Sequence, residues 1–163
     1  MDYGYCLESS DDLKNAIAVQ SESIELAEVA GAGFLADAAG VGLVEAIAKL
    51  STTDREQIRK SVATLRTAIE AALQRRSLGF VAGYLAAVEQ VLWTAGDHGT
   101  ALLLHRFATL RIPSSSRMPS VVDTSSVDAD TLADIDLEAD NLDLETAAAT
   151  ALVALDEILT APG

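Results

Sequence analysis

Aliphatic residues recur every three or four positions through the middle of the chain, and this spacing restricts what the chain can fold into. The clearest run consists of Ile58, Val62, Leu65, Ile69 and Leu73. On a helix these side chains share one face, because a turn contains 3.6 residues. Charged residues occupy the positions between them, so the run predicts an amphipathic helix with one face on a core.

Composition extends this prediction to the whole chain. Half of the 163 residues are hydrophobic (50%) and only 4% are aromatic, so the core must consist mostly of Ala, Leu, Val and Ile. Ala and Leu are strong helix formers. Capping residues and glycines divide the first 110 residues into about five helices. We therefore expect an all-α helical bundle, with an extended Pro/Ser arm and an acidic C-terminal segment that ends in an amphipathic helix.

Charge is distributed unevenly between the two ends of the chain. Residues 1–117 contain 11 bases and 14 acids, so their net charge is 11 − 14 = −3. Residues 118–163 contain 11 acids and no base, which gives −11 and a total of −14. Nucleic acid requires a basic face, and an anionic membrane surface attracts basic segments. We expect no direct binding to nucleic acid and no association with a membrane.

Three regions follow from these patterns: a helical body at 1–110, an arm at 111–127 and an acidic segment at 128–163. The stretch from Ile112 to Ser120 contains two prolines and four serines in nine residues, which excludes a helix there. Between Asp134 and Asp140, acids alternate with apolar residues, a period that predicts a short strand with one wet face. The residues from Leu144 to Leu159 predict the last helix.

No catalytic, cofactor-binding or metal-binding residue can be assigned from the sequence. The glycines at 31 and 33 lack the preceding strand that a dinucleotide site requires. The acids from Asp134 to Glu145 have the spacing of a calcium loop, but Ala139 occupies the position that needs glycine. His98 and His105 are not part of a Glu-x-x-His motif. We expect a protein that is not an enzyme and has no cofactor.

Cysteine usage and the first residues bear on location. Cys6 is the single cysteine, so an intramolecular disulfide is impossible. The residues from Met1 to Ser10 contain no basic region followed by an apolar run, so no secretory signal is visible. We expect a cytoplasmic or virion protein.

The fourth predicted helix, residues 80–94, is apolar almost all round. Such a helix lies at the centre of a bundle or in a subunit interface. Its large apolar residues exceed what one helix face can bury, so we expect part of the helix to contact a second subunit. The candidate interface residues on this helix are Phe80, Tyr84, Val88, Val91 and Trp93.

The arm carries a resemblance to a known family. Its stretch Ser116-Arg117-Met118-Pro119 resembles a segment of the head-to-tail adaptor proteins of tailed phages, which are helical and ring-forming. The resemblance implies a subunit that docks beneath a portal ring. It also implies that Arg117, Met118 and Pro119 contact a neighbouring subunit or another virion protein.

Two functions are therefore expected. The first is a non-enzymatic structural or assembly protein that forms homo-oligomers, as a viral head–tail connector component would, with portal or other virion proteins as partners. The alternative is a small cytosolic interaction or regulatory module that presents its acidic tail to a basic partner.

Overall fold

A computed structural model describes residues 10–49, 55–112, 120, 122–125 and 127–161. This part of the chain forms seven helices and no strand, which confirms the predicted all-α fold. The helices are α1 (Ser10–Val29), α2 (Gly33–Lys49), α3 (Arg55–Gln74), α4 (Leu78–Ala95), α5 (His98–Arg111), α6 (Ala129–Asn141) and α7 (Leu144–Thr160).

Short turns make most neighbouring helices antiparallel. The exception is α6, which runs parallel to α5. Two ion pairs, Arg106 with Asp136 and Arg111 with Asp140, follow each other in the same order along both helices. One end of the bundle therefore gathers the α1–α2, α3–α4 and α6–α7 turns together with the end of α5. We call this end of the bundle the turn end.

Helix α4 is the centre of the bundle, since it packs against α2, α3, α5 and α7. This position explains why α4 is apolar on nearly all sides. By length and composition α4 is the one described helix that could cross a membrane, yet 56% of that window is buried inside the protein. The pattern is that of a core helix.

The burial of α4 limits which of its residues could contact a second subunit. Tyr84, Val88 and Val91 lie in the chain's own core and are unavailable to a neighbour in this fold. Their apolar surface is covered by four helices of the same chain. Phe80 and Trp93, at the two ends of α4, are only partly buried.

The acidic segment packs onto the body. Ala139, Ala148, Ala151 and Leu155 belong to the same core cluster as the central residues of α3, α4 and α5. The C-terminal helices therefore complete the bundle.

Arginines of the body hold the acidic segment in place. Arg66 Nε lies 2.7 Å from Asp156, Arg106 Nη2 donates to Asp136 at 2.7 Å, and Arg111 Nη2 lies 3.3 Å from Asp140. Arg59 donates to the carbonyl oxygens of residues 159 and 161 at the end of α7, at 3.3 and 2.6 Å. Part of the charge asymmetry of the sequence is thus neutralised within the chain.

The strand expected between Asp134 and Asp140 is wrong, because this stretch lies in α6. Asp128 caps the helix by accepting a hydrogen bond from the Thr131 amide at 2.9 Å. Ile135 and Ala139 are four residues apart and both turn inward, whereas Leu137, which suggested the alternation, is 67% exposed. The helix also excludes a calcium loop here, and no cluster of three potential metal ligands occurs among the described residues.

The turns of the body contain left-handed residues, and the glycines of the sequence indicate only some of them. Gly31 has a φ of 68°, in the left-handed region that favours glycine. After α3, however, the left-handed residue is Arg76 (φ 55°), while the nearest glycine, Gly79, lies in the first turn of α4. For a residue with a side chain this conformation costs about 1–2 kcal/mol.

A close contact between α2 and α4 provides a test of the packing. A methyl group at Gly40 would collide with the Tyr84 hydroxyl, which donates to the Asp37 carbonyl oxygen at 2.9 Å. We expect Gly40→Ala to destabilise the protein by about 1–3 kcal/mol in urea unfolding, since the core must shift to accept it. Gly79→Ala is the matched control: no atom lies within 4 Å of its added methyl, so it should be neutral or stabilising. Equal effects of both changes would contradict this packing.

The caps of α6 and α7 predict a pH dependence. Hydrogen bonds from the backbone amides of Thr131 and Thr146 hold the pKa values of Asp128 and Asp143 below their ordinary range. A carboxyl whose folded-state pKa is lowered stabilises the fold above its unfolded-state pKa, about 3.9, and this stabilisation is lost as pH falls through the folded-state value.

We therefore expect the variant Asp128→Asn/Asp143→Asn to lose less stability than the wild type as pH falls from 5 to 2.5. Asparagine caps a helix about as well as aspartate but does not titrate in this range. Thermal melts at several pH values measure the difference. Parallel stability curves for the two proteins would show that these caps contribute nothing to acid sensitivity.

Candidate interaction surface

Large apolar side chains are exposed together at the turn end. Phe34 and Phe80 contact each other edge to face, with ring centroids 5.3 Å apart, and join the ends of α2 and α4. We define the turn-end surface as Phe80 together with five exposed residues: Leu26 (64%), Val29 (89%), Phe34 (71%), Leu35 (44%) and Leu78 (41%). Single exposed apolar residues are ordinary, but a contiguous group marks an interaction site.

The α1–α2 turn brings these residues together. Gly31 reverses the chain, so Val29 at the end of α1 and Phe34 at the start of α2 lie on either side of the same turn. Gly33 lets α2 approach α3, because a methyl group there would lie 2.8 Å from the side chain of Arg75. The sequence Val29-Ala-Gly-Ala-Gly-Phe34 therefore fixes both the turn and the exposure of the residues beside it.

A polar cluster lies directly beneath this turn. Arg75 Nε donates to both carboxylate oxygens of Asp37, at 3.1 and 3.2 Å, and Arg75 Nη2 donates to the same carboxylate. Asp37 is completely buried, whereas the Arg75 side chain is 31% exposed. Together with the bond from Tyr84 to the Asp37 carbonyl, the cluster links α2, the end of α3 and α4.

Arg75 and Tyr84 both keep their protons at neutral pH. The hydrogen bond to Asp37 raises the pKa of Arg75 above its ordinary value. Burial, and then the Asp37 charge, raise the pKa of Tyr84 well above its usual range. Because the phenol stays protonated, it remains a donor to Asp37. The two side chains therefore act as fixed hydrogen-bond donors that position the turn.

An apolar cavity of about 640 Å³ adjoins the turn-end surface. Leu78 belongs to both, and the cavity extends between the start of α4, the end of α5 and the start of α7. The other apolar residues that line it are Ala82, Phe107, Ile112, Leu142 and Leu144. The turn end thus offers both a protruding apolar group and an apolar recess.

A second groove, of about 350 Å³, lies between α1, α2 and α3. The hydroxyls of Ser21, Thr64 and Thr67 on its walls donate to carbonyl oxygens four residues earlier in their own helices. Glu25, Glu28 and Arg75 also line this groove, so its wall is partly charged.

The two histidines do not form a shared site. His105 Nδ1 lies 3.4 Å from the buried carboxylate of Glu89, and His98 stacks on Trp93 with ring centroids 4.4 Å apart. No third acid, histidine or cysteine joins either pair within the described ranges. The expectation that the protein is not an enzyme stays a prediction.

The candidate interface residues from the sequence separate in the structure. Phe80 belongs to the turn-end surface, whereas Trp93 lies near the opposite end of α4. Arg117, Met118 and Pro119 lie outside the described residues. Sequence reasoning missed Leu26, Val29, Phe34, Leu35 and Leu78 as surface residues. The available signal was the position of large apolar residues immediately beside a glycine-rich break, where a helix has no neighbour to cover them.

Comparisons with known proteins give no relative. No protein family model matches the chain, and neither a curated protein nor a solved structure matches it at a significant level.

The polar cluster under the turn predicts unequal effects of two arginine substitutions. Arg75→Met leaves the buried Asp37 carboxylate without its partner, and we expect a loss of about 2–3 kcal/mol, reduced from the fully buried case by the exposure of Arg75. Arg66→Met removes an ion pair that is 39% and 51% exposed and should cost less than about 1 kcal/mol.

Chemical unfolding of Arg75→Met, Arg66→Met, Asp37→Asn and the double variant Arg75→Met/Asp37→Asn measures these losses of stability. The double variant should recover part of the loss, because it no longer buries an unpaired charge. Additive losses in the double variant would show that the two side chains do not depend on each other.

Proposed function

We propose that this protein is a non-enzymatic structural or assembly protein that forms homo-oligomers through the turn-end surface. The observation that carries the proposal is the joint exposure of Val29 and Phe34 at 89% and 71%, beside three further apolar residues. In a chain that remained a monomer, this group would stay in water at a cost to solubility.

The size of the group agrees with a subunit contact. Burying one large aliphatic or aromatic side chain contributes about 1.5–3 kcal/mol. Association costs about 4–15 kcal/mol in lost freedom, so one or two exposed residues would not hold two chains together. Several such residues on one rigid turn can exceed this cost, and the Asp37–Arg75 pair keeps the turn in place before binding.

A role as a viral head–tail connector component is the specific form of this proposal. Its support is the resemblance of Ser116-Arg117-Met118-Pro119 to phage head-to-tail adaptors, in the segment that follows α5. Ile112, the last described residue before this stretch, lines the apolar recess at the turn end. In this proposal the partners are further copies of the chain and portal or other virion proteins, and the protein is found in the cytoplasm or the virion.

The second candidate function, an acidic interaction module, is favoured by one observation. Asp130, Asp134 and Glu138 are exposed and recur every four residues, so they form an acidic stripe along α6. Other acids of the same segment are already paired with arginines of the body. A basic partner would therefore meet this stripe on a folded helix. Oligomeric mass separates the two functions, because the module requires no self-association.

A substitution in the turn-end surface tests the proposal. Light scattering coupled to size exclusion should show an oligomer for the wild type and a monomer for Phe34→Asp, because an interface core leaves the new charge unpaired. The melting temperature of the variant monomer should change little, since this side chain is already 71% exposed.

Val153→Asp is the matched control. Val153 is 60% exposed on α7, away from the turn-end surface, so its replacement should leave the oligomer intact. A wild type that is monomeric at every concentration would overturn the assembly proposal and favour the acidic module.

A further inference from the structure

One cation at the turn end has no partner in the described part of the chain. Of the lysine and arginine side chains that the structure describes, Arg76 alone makes neither an ion pair nor a hydrogen bond to another residue. It is exposed and lies two positions before Leu78 of the turn-end surface. Its backbone is left-handed, a conformation that glycine would adopt at lower cost. Arginine therefore occupies a position where the backbone conformation by itself would favour glycine.

Two acids border the same surface on the α1 side. Glu22 lies one helical turn before Leu26, and Glu25 lies one turn before Val29, so each acid adjoins an exposed apolar residue on α1. Both carboxylates are exposed, and neither makes an ion pair with a described residue. The turn-end surface therefore has unpaired acids on one flank and an unpaired arginine on another.

We propose that the turn-end surface joins two copies of this chain around a twofold axis, with Arg76 of each copy paired to Glu22 and Glu25 of the other. The inference rests on the proposed homo-oligomerisation through this surface and not on the connector role, because a ring would need a head-to-tail contact. In a twofold contact, residue i of one copy meets residue j of the other and j meets i. When two copies of the turn-end surface meet in this way, the arginine flank of each copy faces the acidic flank of the other, with the apolar residues between them.

The charges set the register of the two copies. The apolar residues at the centre supply the attraction, while pairs at the rim select the orientation and oppose wrong arrangements. A partner with a uniformly basic or acidic surface would satisfy only one flank. A second copy places an arginine against acids on both flanks, which is why the surface fits the chain itself.

Charge reversal tests the pairing. Analytical ultracentrifugation should show dimer affinity weakened by about tenfold or more in Arg76→Glu, and likewise in Glu22→Arg/Glu25→Arg, because like charges then meet at both rims. An equimolar mixture of these two variants should recover an affinity close to that of the wild type. In the mixed dimer, each rim again joins an arginine side to an acidic side.

Glu157→Arg, an exposed reversal on α7 outside the surface, is the control and should leave the dimer affinity unchanged. Circular dichroism of each variant confirms that the helices are retained. If the wild type self-associates but the reversals have no effect, or the mixture fails to recover, the pairing is wrong while the assembly proposal stands. If the wild type does not self-associate, both proposals fail.

Discussion

The ion pair between Asp37 and Arg75 is the interaction on which the turn end depends. A completely buried carboxylate is tolerable only when its charge is matched and its oxygens are hydrogen-bonded, and Arg75 does both. The pair fixes α2 against the end of α3, and the Tyr84 hydroxyl adds α4. The α1–α2 turn is therefore held from beneath by polar bonds, and its apolar residues are free to face outward.

Pairing of opposite charges also explains how the C-terminal half packs onto the body. A segment with 11 acids and no base repels itself when it is alone. Arginines from α3 and α5 reach across it, and small residues of α6 and α7 fit against the core, so the segment becomes part of the bundle. Asp136, Asp140 and Asp156 are paired in this way, whereas Asp130, Asp134 and Glu138 stay exposed and keep one side of α6 acidic.

Sequence reasoning predicted the helices of the body because their apolar residues repeat at helical spacing, as in Ile58 to Leu73. It failed at residues 134–140, since alternation and helical spacing share Ile135 and Ala139, and only contact with α5 decides between them. The apolar excess of α4 was seen correctly, but its division between the bundle centre and a subunit contact could not be predicted, because the number of neighbours around a helix is a tertiary property. The exposure of Phe34 likewise depends on which helices stand beside its turn.

Backbone geometry connects these observations to assembly. Gly31 makes the α1–α2 turn without strain, whereas Arg76 makes the α3–α4 turn at a cost of about 1–2 kcal/mol. The nearby Gly79 does not relieve this cost, because it lies inside α4. A strained arginine beside an exposed apolar group is explained when its side chain gains a partner that the isolated chain lacks. In the proposed dimer, pairing of the Arg76 side chain with acids of the second copy offsets this cost, while the backbone conformation stays unchanged.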